Sequence, residues 1–471
     1  MALGSALKKV EERKGSIIKL KEKASISKFK KERSKTGFEV EFLIVDGEGR
    51  VSNEADRILS HIEDNELKHE AVKECCHSYV EMGVYPQIYV RNVATKFLED
   101  MLGVLEVAER FDLGFFPLAM YPYKYEPMMR SGGWYGVKEK IFCERWGYAG
   151  RCAGFHLHYS LPKGIFQYSD RHLVENALQS EKEKTLNSYN FATSIDPALT
   201  AFTQSSPLYQ GAFLGKDSRN LLYRGGNTLD YEGLYSDYQL FGGLMPYVVE
   251  YEDLMRLADD RYAEWVRIVK EAGGDPKGLE GKNKLDFAWN PVKINKVGSI
   301  ELRNMDMNMP SVLMAVSVLA KYALRDIQRE ELDVVPDLIA MDEPFKFEDD
   351  KIYVPPFGQV SERLQHGVAW DGFDDDAVYK YCKGFFSLAL RFVNKKYYPI
   401  LKPVKDMLKK RKTRSDEILG KVKKAGYDYK KEVPEEVLRE IVLHYSKGLR
   451  RDVTRTKELM ESLTESERVW L

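Results

Sequence analysis

Along residues 37–45, GFEVEFLIV, large apolar side chains alternate with two glutamates. In an extended chain Phe38, Val40 and Phe42 share one face, and Glu39 and Glu41 share the other. This period of two predicts a strand. CCHSYVEMGV (75–84) predicts a second and LGFFPLAM (113–120) a return to extended chain. RCAGFHLHYSLP (151–162) is a third clear alternation, and 299–303 a short one. Helical periodicity marks 93–111, about 170–190, about 249–272 and 311–331, and nearly everything from about 373 onward. The pattern predicts an α+β fold on an antiparallel sheet, with helices packed on its back and a helical C-terminal extension. The expected organisation is a basic helical lead-in over 1–36, a main domain over 37–335 and the helical extension over 336–471. The lead-in carries twelve Lys and Arg against four Glu.

Four of these strands place paired polar groups on a face that would ordinarily be buried or covered. Glu39 and Glu41 lie on the first. Glu74 and Glu81 lie on or beside the second. His156 and His158 alternate on the third, and Glu301 and Arg303 on the last. Like charges side by side on a sheet repel, and carboxylates and imidazoles gathered on one face are destabilising without cations. Two or three Mg²⁺ or Mn²⁺ ions would resolve the conflict, because hard divalent ions take carboxylate oxygens, tolerate an imidazole and leave positions open for phosphate. An arginine beside such a glutamate suits a phosphoryl group, which guanidinium binds as a planar fork.

Composition narrows the function classes. The chain has 471 residues, with 72 Lys and Arg against 73 Asp and Glu, so the net charge of −1 argues against a dedicated nucleic-acid binder. The basic run at 409–412 reads as a solvated helix face. Five cysteines, two of them adjacent, form no disulfide framework, and a reducing cytoplasm is the expected compartment. Cys143 and Cys152 lack a neighbouring base and read as buried structural thiols. No apolar run spans a bilayer, and no signal-peptide core is seen. GYAGRCAG (147–154) matches no phosphate-loop spacing and leads into a strand, so a turn is expected there.

In this order, GFEVEF, Glu74 and Glu81, AGFHLHYSLP and SIELRNMDMN resemble the glutamate–cysteine ligases and, more broadly, the carboxylate–amine ligases of the glutamine synthetase superfamily. ALTAFTQSSPLYQGAFLGKDSR (198–219) is similar to that family's Ser-Pro, Gly-rich and Ser-x-Arg stretch. The resemblance covers roughly 37–315. It implies a strongly curved, funnel-like antiparallel sheet and an ATP-dependent reaction through an acyl phosphate. It implies that Glu41, Glu74 and Glu81 hold one metal ion, and that Glu39, His156 and Glu301 hold a second. His158 would contact ATP phosphate, Arg303 the transferred phosphoryl group, and Arg219 or its rival Arg224 another phosphate. Glutamate activated at its γ-carboxylate, with cysteine as amine, is the implied substrate pair. Met82-Gly83-Val84 and MYPY (120–123) depart from the family's usual polar residues, which leaves another amino acid, a small amine or a peptide open as the amine. Alternatives are a ligase joining glutamate to a protein lysine, a guanidino kinase, and a non-catalytic nucleotide-binding regulator. The partners expected are small molecules, with a homo-oligomer left open. RSGGWYG (130–136) and RGGNTLDYEGLY (224–235) are the expected covers for a water-sensitive intermediate.

Overall fold

The computed structural model describes residues 34–65, 70–279 and 281–463; the basic lead-in lies almost wholly outside them. Seven strands form the main sheet: β1 (Thr36–Asp46), β2 (Ala71–Lys73), β3 (Tyr79–Gln87), β4 (Leu113–Phe116), β5 (Gly154–Ser160), β6 (Val292–Asn295) and β7 (Ser299–Asp306). Their order is β6-β7-β5-β1-β3-β2, with β4 pairing the C-terminal half of β1, and every pair is antiparallel. A bulge between Leu302 and Met305 re-aims β7 at the point where it leaves the site.

The alternation in β1 sets the two faces. Phe38, Val40 and Phe42 are fully buried against the helical layer. Phe38 meets Phe97 edge-on at 5.7 Å and Phe155 at 5.9 Å. Phe97 belongs to α1 (Val90–Glu109), which packs behind β1, β3 and β4. α2 (Gln179–Thr203) backs β7, and α3 (Pro310–Glu330) packs against α2 and β5. Beyond these, α4 (Asp376–Phe392), α5 (Lys402–Lys410), α6 (Arg414–Lys424) and α7 (Glu435–Ser462) join the same hydrophobic core. α7 lies on α1 and β4, so the C-terminal helices brace the back of the sheet that carries the site.

Several elements differ from the sequence pattern. The helix expected over about 170–190 runs from Gln179 to Thr203. Its second half is buried all round, so it has no amphipathic stripe, and Asp196-Pro197 resembles a break. The second strand starts at Tyr79, because Cys75 to Ser78 form a turn against Met128 and Arg130. Segment 224–235 is a compact turn, mostly buried, with Gly226 N donating to Tyr231 O and Leu234 N to Leu222 O. That packing removes it as a mobile cover. At the end of α5, Arg411 adopts a left-handed conformation (φ 52°) and binds the carbonyls of Phe373 and Asp374, while Lys409 and Lys410 face solvent. Among the described residues no helix is long and apolar enough to cross a membrane.

Candidate active site

Strand register brings the polar pairs together. Glu41 lies opposite Glu81 across β1–β3, and Glu39 lies opposite His156 across β1–β5. His158 and Lys293 both lie opposite Glu301, from β5 and β6. Glu39 also faces Gly83 across β1–β3. Glu74 arrives from the turn before β3. The result is two adjoining groups, Glu39–His156–Glu301 and Glu41–Glu74–Glu81, each with candidate ligand atoms within 4.8 Å of one another.

The two groups are balanced differently. Glu39 Oε2 lies 3.2 Å from His156 Nδ1, and Glu39 Oε1 lies 3.1 Å from His158 Nε2. Burial opposes ionisation of Glu39, yet His158 and His156 hold its carboxyl well below the usual range. Glu301 is fully buried and held low against burial by Arg303 and by Lys293, whose Nζ is 3.4 Å away; Asn295 donates to it as well. Burial, reinforced by Arg303, lowers His156 to about 4. For His158 burial is outweighed by Glu39 and Glu301, so its imidazole sits above the ordinary value, and its Nδ1 lies 2.9 Å from Ser299 Oγ.

In the second group the nearby arginines do not outweigh burial. Burial pushes Glu41 up to about 8, and Glu74 adds to the rise against the pull of Arg219. Burial and the charges of Glu74, Glu39 and Glu41 raise Glu81 well above a normal carboxylate. The neutral donors present are backbone amides: Gly154 N donates to Glu41 at 2.6 Å, and Cys75 N to Glu74 at 2.5 Å. Three crowded carboxylates of this kind fit a divalent cation. Glu39, His156 and Glu301 also supply a ligand set a hard cation accepts, with Arg303 and Lys293 already at hand for anions.

The two candidate arginines both reach this place. Arg219 is the second residue of the short helix Ser218–Tyr223, capped by Asp217, whose side chain accepts from Asn220 N. Its guanidinium donates to the carbonyls of Asn304 and Arg303 at 3.3 and 3.4 Å, while its buried Nε has no partner. A Cβ at Gly154 would sit 2.3 Å from Arg219 Nη2, so a larger residue there would displace the guanidinium. Arg224 is held more completely: its Nε donates to Asn304 Oδ1 at 3.0 Å, and Nη1 to Gly242 O and Trp289 O. Arg303 pairs with Glu301 and keeps a buried Nε without a partner.

These residues adjoin a cavity of about 220 Å³. Glu39, Glu41, Glu74, Glu81, His156, Arg219, Arg224 and Arg303 line it. So do Trp134, Tyr135, Lys138, Trp146, Tyr223 and Trp289, none of which the strand pattern singles out. The signal available in the sequence was Trp134 and Lys138 four apart in one helix. Cys75 and Cys152 also border the cavity; the neighbouring Cys76 thiol and then burial raise Cys75, and burial raises Cys152 to about 12, so neither is poised as a nucleophile. Cys143 is exposed, contrary to the buried role expected, because it sits at the helix end Phe142–Cys143 with φ 50° and faces outward.

Residues 35–349 match the sequence model of glutamate-cysteine ligase family 2 (GCS2). The chain belongs to this family. Among solved structures it is similar to a bifunctional glutathione synthetase from Pasteurella multocida, at 13% identity and a TM-score of 0.52 over 90% of this chain and 53% of that one. It is also similar to a glutamate–cysteine ligase from Francisella tularensis in complex with AMP, at 13% identity and a TM-score of 0.50 over 94% and 95% of the two chains. The chain therefore spans about half the length of the bifunctional protein, and at these identities the likeness is one of fold. A comparison with curated protein sequences finds no match.

Proposed function

We propose that the protein is an ATP-dependent ligase that joins a carboxylate to an amine, activating the γ-carboxylate of glutamate for attack by cysteine or another amine. The observation that carries this is the pair of ligand groups on one sheet face, bordered by buried arginines at a single cavity. A carboxylate is a poor acyl donor. In the proposed reaction one of its oxygens attacks the γ-phosphorus of ATP and ADP leaves. The amine nitrogen then attacks the acyl carbon, phosphate leaves, and the nitrogen loses a proton to give the amide.

Divalent cations bound by Glu41, Glu74 and Glu81, and by Glu39, His156 and Glu301, would supply neutralisation of phosphate and carboxylate charge. Arg303 offers the transferred phosphoryl group a planar fork, with an Nε that no protein group uses. Arg219 offers a second positive charge near Glu41, and His158 an imidazole that Glu39 and Glu301 bias toward its charged form. Trp134, Tyr135, Trp146 and Trp289 form the wall that keeps water from a reactive acyl phosphate. Residues 37–335 would carry catalysis on a funnel-shaped sheet, and 336–471 would support it.

ADP release with ATP and Mg²⁺, screened over glutamate and candidate amines singly and in pairs, tests the proposal. Release that needs an acid and an amine together is expected. Release with a guanidino compound alone would make the protein a kinase. Tight ATP binding without release for any pair would make it a regulator.

A further inference from the structure

Lys138 lies in the helix Gly133–Phe142, half-buried, and its side chain borders the cavity beside Glu74. Its ammonium sits over three indole rings, 4.6 Å from the centroid of Trp289, 5.4 Å from Trp146 and 5.7 Å from Trp134. Ring faces attract a cation but accept no full set of hydrogen bonds. Among the described residues, no carboxylate or carbonyl takes a hydrogen bond or ion pair from this ammonium. Three donors are thus held in place at the cavity wall without an acceptor. A lysine in a structural ion pair would look different, as Lys293 does against Glu301.

We propose that Lys138 anchors a carboxylate of the amino-acid substrate other than the one being activated, and so restricts the site to substrates with two acid groups. This rests on the ligase reading above and names the group that selects its acid. Burial among the rings lowers the Lys138 ammonium to about 8, against the opposing pull of Glu74. A bound carboxylate would restore the charged form and use the free donors. The position favours a carboxylate over a nucleotide phosphate. Glu74, of the Glu41–Glu74–Glu81 group, is the carboxylate that most favours the Lys138 charge, while Arg303 and Lys293 oppose it from the Glu39–Glu301 side.

Tryptophan fluorescence of the full chain, with three indoles around Lys138, reads binding without turnover. Titrations would use glutamate and 4-aminobutyrate, which keeps the chain and the distal carboxylate but lacks the second one. Wild type is expected to bind glutamate more tightly. K138M should weaken glutamate roughly ten- to a hundredfold while leaving 4-aminobutyrate unchanged, and K138R should recover part of the loss. In turnover, the KM for glutamate should rise with kcat and the KM for ATP held. Equal glutamate affinity in K138M and wild type, or a K138M defect in ATP binding instead, would overturn the anchor. If K138M fails to fold by circular dichroism, wild type decides: equal affinity for the two ligands would overturn the proposal. Glutamate binding that depends on Lys138, with no ADP release for any acid–amine pair, would leave the anchor standing and remove the ligase reading.

Discussion

Glu41 is a carboxylate kept from ionising by burial and by Glu74, with the Gly154 amide and Arg219 pulling the other way. Replacing it with glutamine keeps the shape and the acceptor for Gly154 N but removes one of three crowded carboxyl groups. Glu41→Gln should leave the metal-free protein as stable as wild type or more so. It should also abolish the rise in melting temperature that Mg²⁺ or Mn²⁺ gives wild type, and lower turnover roughly a hundredfold or more. Thermal melts with and without the ions, beside ADP release, check this; an undiminished rate would remove Glu41 from the site. At this scale the sequence was legible wherever a polar residue broke an apolar alternation, as with Glu39, Glu41, His156 and His158. Lys138, Trp146 and Trp289 broke no pattern: a lysine and a tryptophan on a helix, and a tryptophan in a loop, are ordinary there. Only their convergence on one cavity distinguishes them.

Between elements, the site strand β7 is tied to the helices by buried polar bonds. Asn304 accepts from Arg224 and donates to Asp196 Oδ2 in α2 at 3.1 Å, and Gln365 donates to the same oxygen at 2.8 Å. Burial raises Asp196 from 3.8 to about 6. The folded state therefore keeps a proton that the unfolded chain gives up near 3.8. Stability contributed by this group falls as pH rises from about 4 to 6, by about 3 kcal/mol in all, and stays low above that. Asp196→Asn, whose amide oxygen can accept from both partners, should flatten this slope, matching wild type near pH 4 and exceeding it at pH 7. Urea midpoints across that range decide; an unchanged slope would place the titration elsewhere. Strand identity was legible because a period of two is local. The true span of α2 was not, since a helix buried on all sides has no stripe to read and its Asp-Pro pair imitates a stop.

Across the whole molecule, one hydrophobic core runs from the back of β1 to α7. α7 buries Leu438, Ile441, Val442, Leu449 and Val453, and Arg450 forks onto Glu109 of α1 at 2.7 and 3.0 Å. Leu449 is fully buried, so Leu449→Ala should cost about 2–5 kcal/mol. Because α7 lies directly on α1 and β4, the loss should reach the site. Far-UV circular dichroism and tryptophan fluorescence are expected to fall together at a lower urea midpoint. An early loss of the helical signal with the fluorescence unchanged would show that the C-terminal helices are energetically separate from the sheet.

The sequence by itself determined β1, β3, β5 and β7, their two faces and the residues that had to be compensated, because alternation is written in neighbouring positions and a like-charge pair on a strand is a conflict visible without coordinates; the short β2 and β6 carried too few residues to show it. It could not determine which carboxylate would meet which. That depended on register: a shift of one residue between β1 and β3 would send Glu81 to the opposite face from Glu41. Nor could it separate a glutamate held low by Arg303 and Lys293 from one pushed up by Glu74, since burial and through-space charge set both. Tertiary structure alone decided those pairings, and with them the place of Lys138 among its three indoles, because each joins side chains from segments far apart in the chain.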